Sequence, residues 1–139
     1  MNLILIRGLP GSGKTTLANQ LMYHFMHLTE AKMFEADMYF MQNGKYVFDR
    51  KLLGHAHKWC QDSTDDWLSK DGTAIVSNTF TTVRELSPYF EIAKKYEIVP
   101  TVYACQNDWG SIHNVPLDTM ISMKNRFQYD ISSLFKDFS

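Results

Sequence analysis

The sequence has little cysteine and almost no net charge. Its 139 residues include 2 cysteines, Cys60 and Cys105, which lie far apart and lack the spacing of a metal site. Two unpaired thiols are typical of a reducing compartment, so we expect a cytoplasmic protein. The net charge of −1 gives no general electrostatic attraction to nucleic acid or to an anionic membrane, so any contact with nucleic acid must be local.

Long apolar runs are also missing. The apolar run at residues 3–6 is too short for a signal sequence, and no stretch approaches the length of a membrane span. We therefore expect no membrane partner. Apolar residues make up 45% and charged residues 21% of the chain, a composition typical of a globular domain, and we expect residues 1–139 to form a single one.

Strand-like and helix-like segments alternate along the chain. The patterns predict strands at residues 2–7, at a segment ending at 35–37, at 73–77 and at 98–104. They predict helices at about 14–28, 50–69 and 83–96, and a last helix from Pro116. A turn at residues 43–45 and an N-cap at Asp49 precede the second helix, and spacing places Leu53 in its apolar stripe. Spacing also places Phe127 and Ile131 on the apolar side of the last helix. This order indicates an α/β fold with a parallel sheet of about four to five strands flanked by helices. The sequence Gly-Leu-Pro-Gly-Ser-Gly-Lys-Thr at residues 8–15, between the first strand and the first helix, indicates that this is a P-loop NTPase or kinase fold. Residues 105–115 have no regular period and form a candidate short lid.

The clearest motif lies between the first predicted strand and helix. Residues 8–15 fit the pattern G-x-x-x-x-G-K-[ST] at every position. Glycines let backbone N–H groups approach phosphate oxygens, and the helix N-terminus adds a positive dipole end. Lys14 is expected to reach the β and γ phosphates of ATP, and the Thr15 hydroxyl to bind Mg²⁺. The predicted ATP-binding residues are Gly8, Gly11, Ser12, Gly13, Lys14, Thr15 and Thr16.

The chain lacks an Asn-Lys-x-Asp guanine motif, which argues against a GTPase, and it is too short for the sensor and lid domains of most ATPase motors. The remaining class of P-loop protein is a small phosphotransferase with an alcohol group as acceptor. Asp37, after the second strand, is the candidate base for that hydroxyl; it could also hold Mg²⁺ through water or cap the next segment. Asn78 follows the third strand, where many P-loop proteins place a metal-binding aspartate, and with Thr79 it is a candidate substrate contact.

Positive charge near the transferred phosphate is harder to locate. The candidate lid contains no arginine, so Arg126, on the helix that follows it, is the best-placed catalytic cation, with a surface arginine as the alternative. His113 is a candidate lid contact to substrate or a hydrogen-bonding group within the loop. Trp109, Tyr39, Phe40 and Phe80 are candidates either for a base-stacking surface or for the core.

These residues together resemble the polynucleotide-kinase-like P-loop kinases, including small stand-alone phage kinases. The resemblance spans nearly the whole chain and rests on residues 8–16, Asp37 in Ala-Asp-Met-Tyr-Phe, residues 76–80, residues 112–116 and Met-Lys-Asn-Arg at 123–126. It implies that Asp37 is the general base and that Lys14 stabilises the transferring phosphate. Against the family, Asn78 replaces an aspartate, Phe40 lies in a segment that carries an arginine, and the lid arginines are missing.

In the relatives those arginines bind the phosphate beside a 5′ hydroxyl, so another acceptor is favoured here. The resemblance is to the phage kinases that phosphorylate 5-hydroxymethyl pyrimidines such as 5-hydroxymethyluracil in DNA, which would place the protein in the host cytoplasm. The alternatives are a 5′-OH polynucleotide kinase, a small-molecule or nucleoside kinase, and an ATP-binding module without chemistry. The oligomeric state is left open.

Overall fold

The computed structural model describes residues 1–26, 30–107 and 115–138. Four parallel strands form its main sheet and two short antiparallel strands form a hairpin. In chain order the strands and α-helices are β1 (Asn2–Gly8), α1 (Lys14–Phe25), β2 (Ala31–Phe34), β3 (Met41–Gln42), β4 (Lys45–Tyr46), α2 (Leu53–Ser69), β5 (Thr73–Ser77), α3 (Val83–Lys95), β6 (Thr101–Cys105) and α4 (Leu117–Arg126). Three 3₁₀-helices cover Ala36–Phe40, Arg50–Leu52 and Ser132–Phe138.

The main sheet has the order β2-β5-β1-β6, so β1 lies in its interior. Apolar residues on both faces of β1 are buried, which explains why its sequence shows a continuous apolar run instead of an alternating one. Leu3 and Leu5 belong to the core cluster on the side of α2 and α3, while Ile4 and Ile6 pack with α1 on the other side. The predicted α/β fold with a parallel sheet between helices is confirmed.

The ends of three elements differ from the bounds predicted from the sequence. β2 ends at Phe34 and a 3₁₀-helix begins at Ala36, so the prediction that the strand extends to residues 35–37 was wrong. The strand predicted from residue 98 begins only at Thr101, because Glu97 has a left-handed backbone with φ 56° and Pro100 lacks the N–H that a strand needs. α4 ends at Arg126, so Phe127 and Ile131 lie beyond the helix that was expected to carry them.

The predicted helix at 50–69 has two parts. Asp49 caps the start as predicted, accepting a hydrogen bond from the backbone N–H of Lys51, but the first turn is a 3₁₀-helix. Within α2 the buried face is formed by Ala56, Cys60, Thr64 and Leu68, whereas Leu53, placed in the apolar stripe by its spacing, is exposed. Thr64 is accommodated there because its hydroxyl donates to the Cys60 carbonyl at 2.8 Å.

The predicted turn at residues 43–45 joins β3 to β4. Asn43 and Gly44 have φ 50° and 79°, and two successive positive φ angles are what a tight two-residue hairpin turn requires. Residues 41–50 are all exposed, so the hairpin projects from the domain. Within the described residues, no helix has both the length and the apolar composition to cross a membrane.

Candidate functional site

The phosphate loop lies between β1 and α1. Gly11 and Gly13 have φ 80° and 97°, angles that a residue with a Cβ adopts only with strain, and Gly13 caps the N-terminus of α1. A hydrogen bond of 3.1 Å from the Ser12 N–H to the Leu9 carbonyl closes the turn. The loop therefore has the backbone form that presents N–H groups and a helix N-terminus to an anion.

Gly8 is required for a steric reason. A Cβ at this position would lie 2.3 Å from the Ser12 Oγ and 2.7 Å from the carbonyl oxygen of Cys105 on β6. Ser12 is only 2% exposed, and its Oγ is one of the buried side-chain atoms in the described residues that lack a hydrogen-bond partner. Since buried hydroxyls are rarely unsatisfied, a phosphate oxygen is a suitable partner for it.

Lys14, the first residue of α1, folds back over the loop. Its Nζ donates to the Leu9 carbonyl at 3.0 Å. Burial lowers the pKa of Lys14 from its ordinary value, while the negative charges of Glu35 and Asp37 act in the opposite direction. The ammonium group thus has two carboxylates from beyond β2 in its electrostatic environment.

Glu35 was missed by the sequence reasoning. The exposed Thr15 donates from its Oγ1 to the Glu35 Oε1 at 3.4 Å, so this carboxylate lies beside the hydroxyl predicted to bind metal. Thr16, the next residue, is exposed on α1. One signal was present: Glu35 is the first polar residue after Met33 and Phe34, and side chains that follow parallel strands meet at one edge of the sheet.

Asp37 is exposed on the 3₁₀-helix Ala36–Phe40. Its Oδ1 accepts a hydrogen bond of 3.2 Å from the Tyr46 hydroxyl on β4. Burial, followed by the charge of Asp37, raises the pKa of Tyr46, so the phenol remains a donor at neutral pH. The hairpin and the candidate base are therefore directly joined.

Asn78 connects three segments at the carboxyl end of β5. Its Oδ1 accepts from the Ala36 N–H at 2.9 Å, and its Nδ2 lies 3.7 Å from the Cys60 Sγ on α2. Burial raises the pKa of the Cys60 thiol, which keeps it neutral. The Thr79 carbonyl accepts from the Gly8 N–H at 3.1 Å. Both residues lie at the site edge, and their predicted contact with substrate stays a prediction.

Arg126 is the last residue of α4. Its Nε donates to the Thr81 Oγ1 at 3.1 Å and its Nη1 to the Ser122 Oγ at 3.3 Å. The loop after β5 is thus bound to the end of α4, and the Gln128 N–H adds a bond of 2.7 Å to the Thr81 carbonyl. The catalytic role of Arg126 stays a prediction.

Among the residues that the structure describes, the largest fully buried side chain is a charged one that the sequence did not indicate. Arg7 is 1% exposed and donates to the Phe80 carbonyl from Nε at 3.0 Å and from Nη2 at 2.8 Å. Phe80 has a left-handed backbone with φ 48°, and Phe127 lies under the guanidinium at 4.2 Å. Burial lowers the pKa of Arg7, opposed by the charge of Glu85. Arg7 therefore holds a strained turn beside Asn78 and Thr79.

The candidate lid at 105–115 is described only at its two ends, residues 105–107 and 115. His113 and Trp109 lie outside the described residues. Of the other aromatics considered for stacking, Phe40 and Phe80 are 1% and 3% exposed and belong to the core, which excludes them as a surface for a base. Tyr39 is half-buried against Trp59.

The fold and the loop define a protein with the P-loop fold of the kinase-like type. A family described as an AAA domain matches residues 3–114, and the chain belongs to that family. Human NEDD4-binding protein 2 is 38% identical over 96 residues, which are 68% of this chain and 5% of the human protein. The chain thus corresponds to a small part of that relative.

Solved structures agree on the fold. One from the Pnkp1/Rnl/Hen1 complex superposes with a TM-score of 0.61 at 19% identity, covering 99% of this chain and 44% of the other. Kti12 of Chaetomium thermophilum, solved with ADP-AlF3, gives a TM-score of 0.70 at 13% identity and covers 91% and 80% of the two chains. Both similarities show the same α/β fold.

Proposed function

We propose that the protein is an ATP-dependent kinase that transfers the γ-phosphate to a hydroxyl group on a nucleic acid. The observation that carries the proposal is the position of the acidic segment after β2, where the Glu35 carboxylate accepts a hydrogen bond of 3.4 Å from the Thr15 hydroxyl of the phosphate loop and the Asp37 carboxylate is exposed. A loop that only binds nucleotide needs the lysine; a carboxylate beside it that is exposed to an incoming hydroxyl fits a transfer reaction.

In the proposed reaction the acceptor oxygen attacks the γ-phosphorus of ATP. A new P–O bond forms while the bond from the γ-phosphorus to the β-phosphate oxygen breaks, and ADP leaves. The acceptor proton passes to the Asp37 carboxylate, whose other interaction, with the Tyr46 hydroxyl, fixes its position. Lys14 offsets the negative charge of the transferring group, and Arg126 is proposed as a second cation.

Magnesium fits the same edge. Thr15 supplies a hydroxyl and Glu35 a carboxylate within 3.4 Å of each other, and oxygen ligands of this kind are what Mg²⁺ takes in addition to water and phosphate. Thr15 would bind the ion and Glu35 would hold one of its waters. When bound with ATP, Mg²⁺ neutralises phosphate charge. This assigns to Glu35 the carboxylate role that Asn78 cannot fill, since the Asn78 Oδ1 is engaged by Ala36.

The acceptor is proposed to be a hydroxyl on a modified pyrimidine in DNA, such as 5-hydroxymethyluracil. The structural similarity to Pnkp1, which belongs to a complex described as an RNA repair complex, supports nucleic acid as the substrate class. The arginine-free segment 105–115 favours a hydroxyl without a neighbouring phosphate over a 5′ end. Cys60 and Cys105 are free thiols, in keeping with a reaction in the cytoplasm.

The test is transfer of labelled γ-phosphate from ATP with Mg²⁺ to a panel of acceptors: DNA containing 5-hydroxymethyluracil, unmodified 5′-OH DNA and RNA, and free nucleosides. Asp37→Asn should reduce transfer by about 100-fold or more and leave ATP affinity unchanged. Asp62→Asn is the matched control, because Asp62 is an exposed carboxylate paired with Lys58 on α2. Wild-type transfer by Asp37→Asn, or no labelled acceptor with the wild type, would overturn the proposal.

A further inference from the structure

The exposed aromatic surface nearest to the candidate base is on the hairpin. The rings of Tyr46 and Phe48 are stacked with centroids 6.4 Å apart and planes 18° apart, and we name this pair the aromatic shelf. The side chains are 53% and 51% exposed. Large rings held in parallel at the surface, next to the candidate base, indicate a ligand surface.

The shelf is held in place from below. Phe48 packs edge-to-face on the buried Phe40 with centroids 5.1 Å apart, and the Val47 N–H donates to the Phe40 carbonyl at 2.8 Å. Phe40 closes the same 3₁₀-helix that carries Asp37. The shelf and the candidate base are therefore mounted on one short rigid unit, which reduces the entropy lost when a ligand binds both.

We propose that the aromatic shelf is the acceptor subsite and that it stacks on the nucleobase of a nucleic-acid strand. This inference rests on the proposed kinase function and specifies its substrate. The Tyr46 hydroxyl reaches Asp37 at 3.2 Å, so a ring resting on the shelf lies beside the group that removes a proton. Stacking is the interaction by which proteins hold single bases without reading the backbone.

The chemistry of the hairpin favours a base over a phosphate. The hairpin itself, residues 41–46, contains no arginine and a single lysine, Lys45, and the basic pair Arg50 and Lys51 belongs to the following 3₁₀-helix. Met41, Val47 and the shelf are apolar and exposed. The surface is open on its outer side, because residues 41–50 are all exposed. Sites for free small molecules enclose most of the ligand, so an open shelf suits a base whose neighbours extend along a strand.

Tyr46 has two separable parts in this scheme. Its ring belongs to the shelf and its hydroxyl positions Asp37. Tyr46→Phe removes only the hydroxyl and should lower kcat while the KM for the acceptor changes by less than about twofold. Phe48→Ala removes a ring and should raise the KM for the acceptor by about 5- to 100-fold without changing ATP affinity. Tyr23→Ala, an exposed tyrosine more than two helical turns into α1, is the control and should change neither.

Binding is measured without chemistry, by fluorescence anisotropy of a labelled single-stranded DNA octamer containing 5-hydroxymethyluracil, in the presence of a non-hydrolysable ATP analogue. An octamer with an abasic residue in place of the modified base, and the free nucleoside as competitor, form the other arms. The proposal expects weaker binding by Phe48→Ala and by Tyr46→Ala, weaker binding of the abasic octamer, and poor competition by the nucleoside.

Equal affinity of wild type, Phe48→Ala and Tyr46→Ala for the octamer would overturn the subsite, as would equal affinity for the abasic octamer or no binding at all. Competition by the nucleoside as strong as by the octamer would overturn the assignment to a strand. If the shelf variants lose binding but the wild type transfers no phosphate, the subsite is supported and the kinase proposal fails. If the wild type and the shelf variants transfer phosphate equally well, the kinase proposal is supported and the subsite fails.

Discussion

The side-chain oxygen of Asn78 accepts a hydrogen bond of 2.9 Å from the backbone N–H of Ala36. Ala36 lies between Glu35 and Asp37, so a single amide at the end of β5 fixes the segment that carries both carboxylates of the site. The Ala36 N–H is in a residue that is only 6% exposed, where an unsatisfied donor is costly. Asn78 thus positions the acidic segment, whatever it contacts in the bound substrate.

This relationship predicts different effects of two substitutions. Asn78→Leu leaves the Ala36 N–H without an acceptor and should lower the free energy of unfolding by about 1–3 kcal/mol and reduce kcat. Asn78→Asp keeps an oxygen acceptor and should retain most of the stability. Urea unfolding and steady-state phosphate transfer measure the two quantities. Equal loss of stability in both variants would show that the bond to Ala36 is not what matters.

Gly8→Ala should disturb the phosphate loop because the added Cβ clashes with its neighbours. The added Cβ meets the Ser12 Oγ at 2.3 Å and the Cys105 carbonyl at 2.7 Å, and the carbonyl belongs to the main chain of β6 and has little room to move. We expect a loss of about 1–3 kcal/mol in unfolding free energy and weaker ATP binding. Calorimetric ATP titration and urea unfolding check this.

Gly54→Ala is the matched control for that change. Gly54 lies in α2 and an added Cβ there meets nothing within 4 Å. Because alanine favours a helix more than glycine does, the control should be neutral or stabilising by up to about 1 kcal/mol. A Gly8→Ala protein as stable as the control, with unchanged ATP affinity, would contradict the steric reason given for Gly8.

The sequence was most informative where local chemistry determines structure. β5 was predicted with its observed bounds, because its apolar centre at residues 74–76 is continuous and Thr73 and Ser77 mark its two ends. The phosphate-loop motif lies between β1 and α1, as its spacing and glycines indicated. Both features depend on neighbours in the chain and not on the tertiary fold.

The parts that were missed depend on contacts between distant residues. Tyr46 meets Asp37 only because the turn at Asn43 and Gly44 folds the hairpin back, and strands of two residues show no detectable period. Phe40 was considered for stacking because periodicity cannot assign faces to a single 3₁₀ turn. Nothing in the sequence distinguished the buried Arg7 from a surface arginine, since its partners are main-chain carbonyls 73 and 74 residues away.

Arg7 should contribute more to stability than its position beside the phosphate loop suggests. Arg7→Met leaves the Phe80 and Thr81 carbonyls without their donor and removes the cation above the Phe127 ring. We expect a loss of about 2–4 kcal/mol in unfolding free energy. Arg84→Met, an exposed position on α3, should change it by less than about 0.5 kcal/mol. Similar urea midpoints for the two variants would refute this role.

Asp65 on α2 should make stability depend on pH. Its carboxylate accepts hydrogen bonds from the Lys95 ammonium and the Tyr96 hydroxyl at the C-terminal end of α3. Burial acts to raise the pKa of Asp65, but these hydrogen bonds and the charge of Lys95 outweigh it and lower the pKa below the ordinary 3.8. The unfolded state therefore binds the proton more readily than the folded state.

The sign of the effect follows from that difference. The stabilisation from Asp65 is fully present above the ordinary carboxyl pKa and is lost as the pH falls through the lowered value of the folded state. Asp65→Asn should therefore reduce the unfolding free energy by about 0.5–1.5 kcal/mol at about pH 7, and the difference from the wild type should shrink at about pH 2.5. Urea unfolding at the two pH values measures it, with Asp62→Asn as the exposed control. If the difference in unfolding free energy between the two proteins stays constant with pH, the contact between α2 and α3 does not depend on the charge of Asp65.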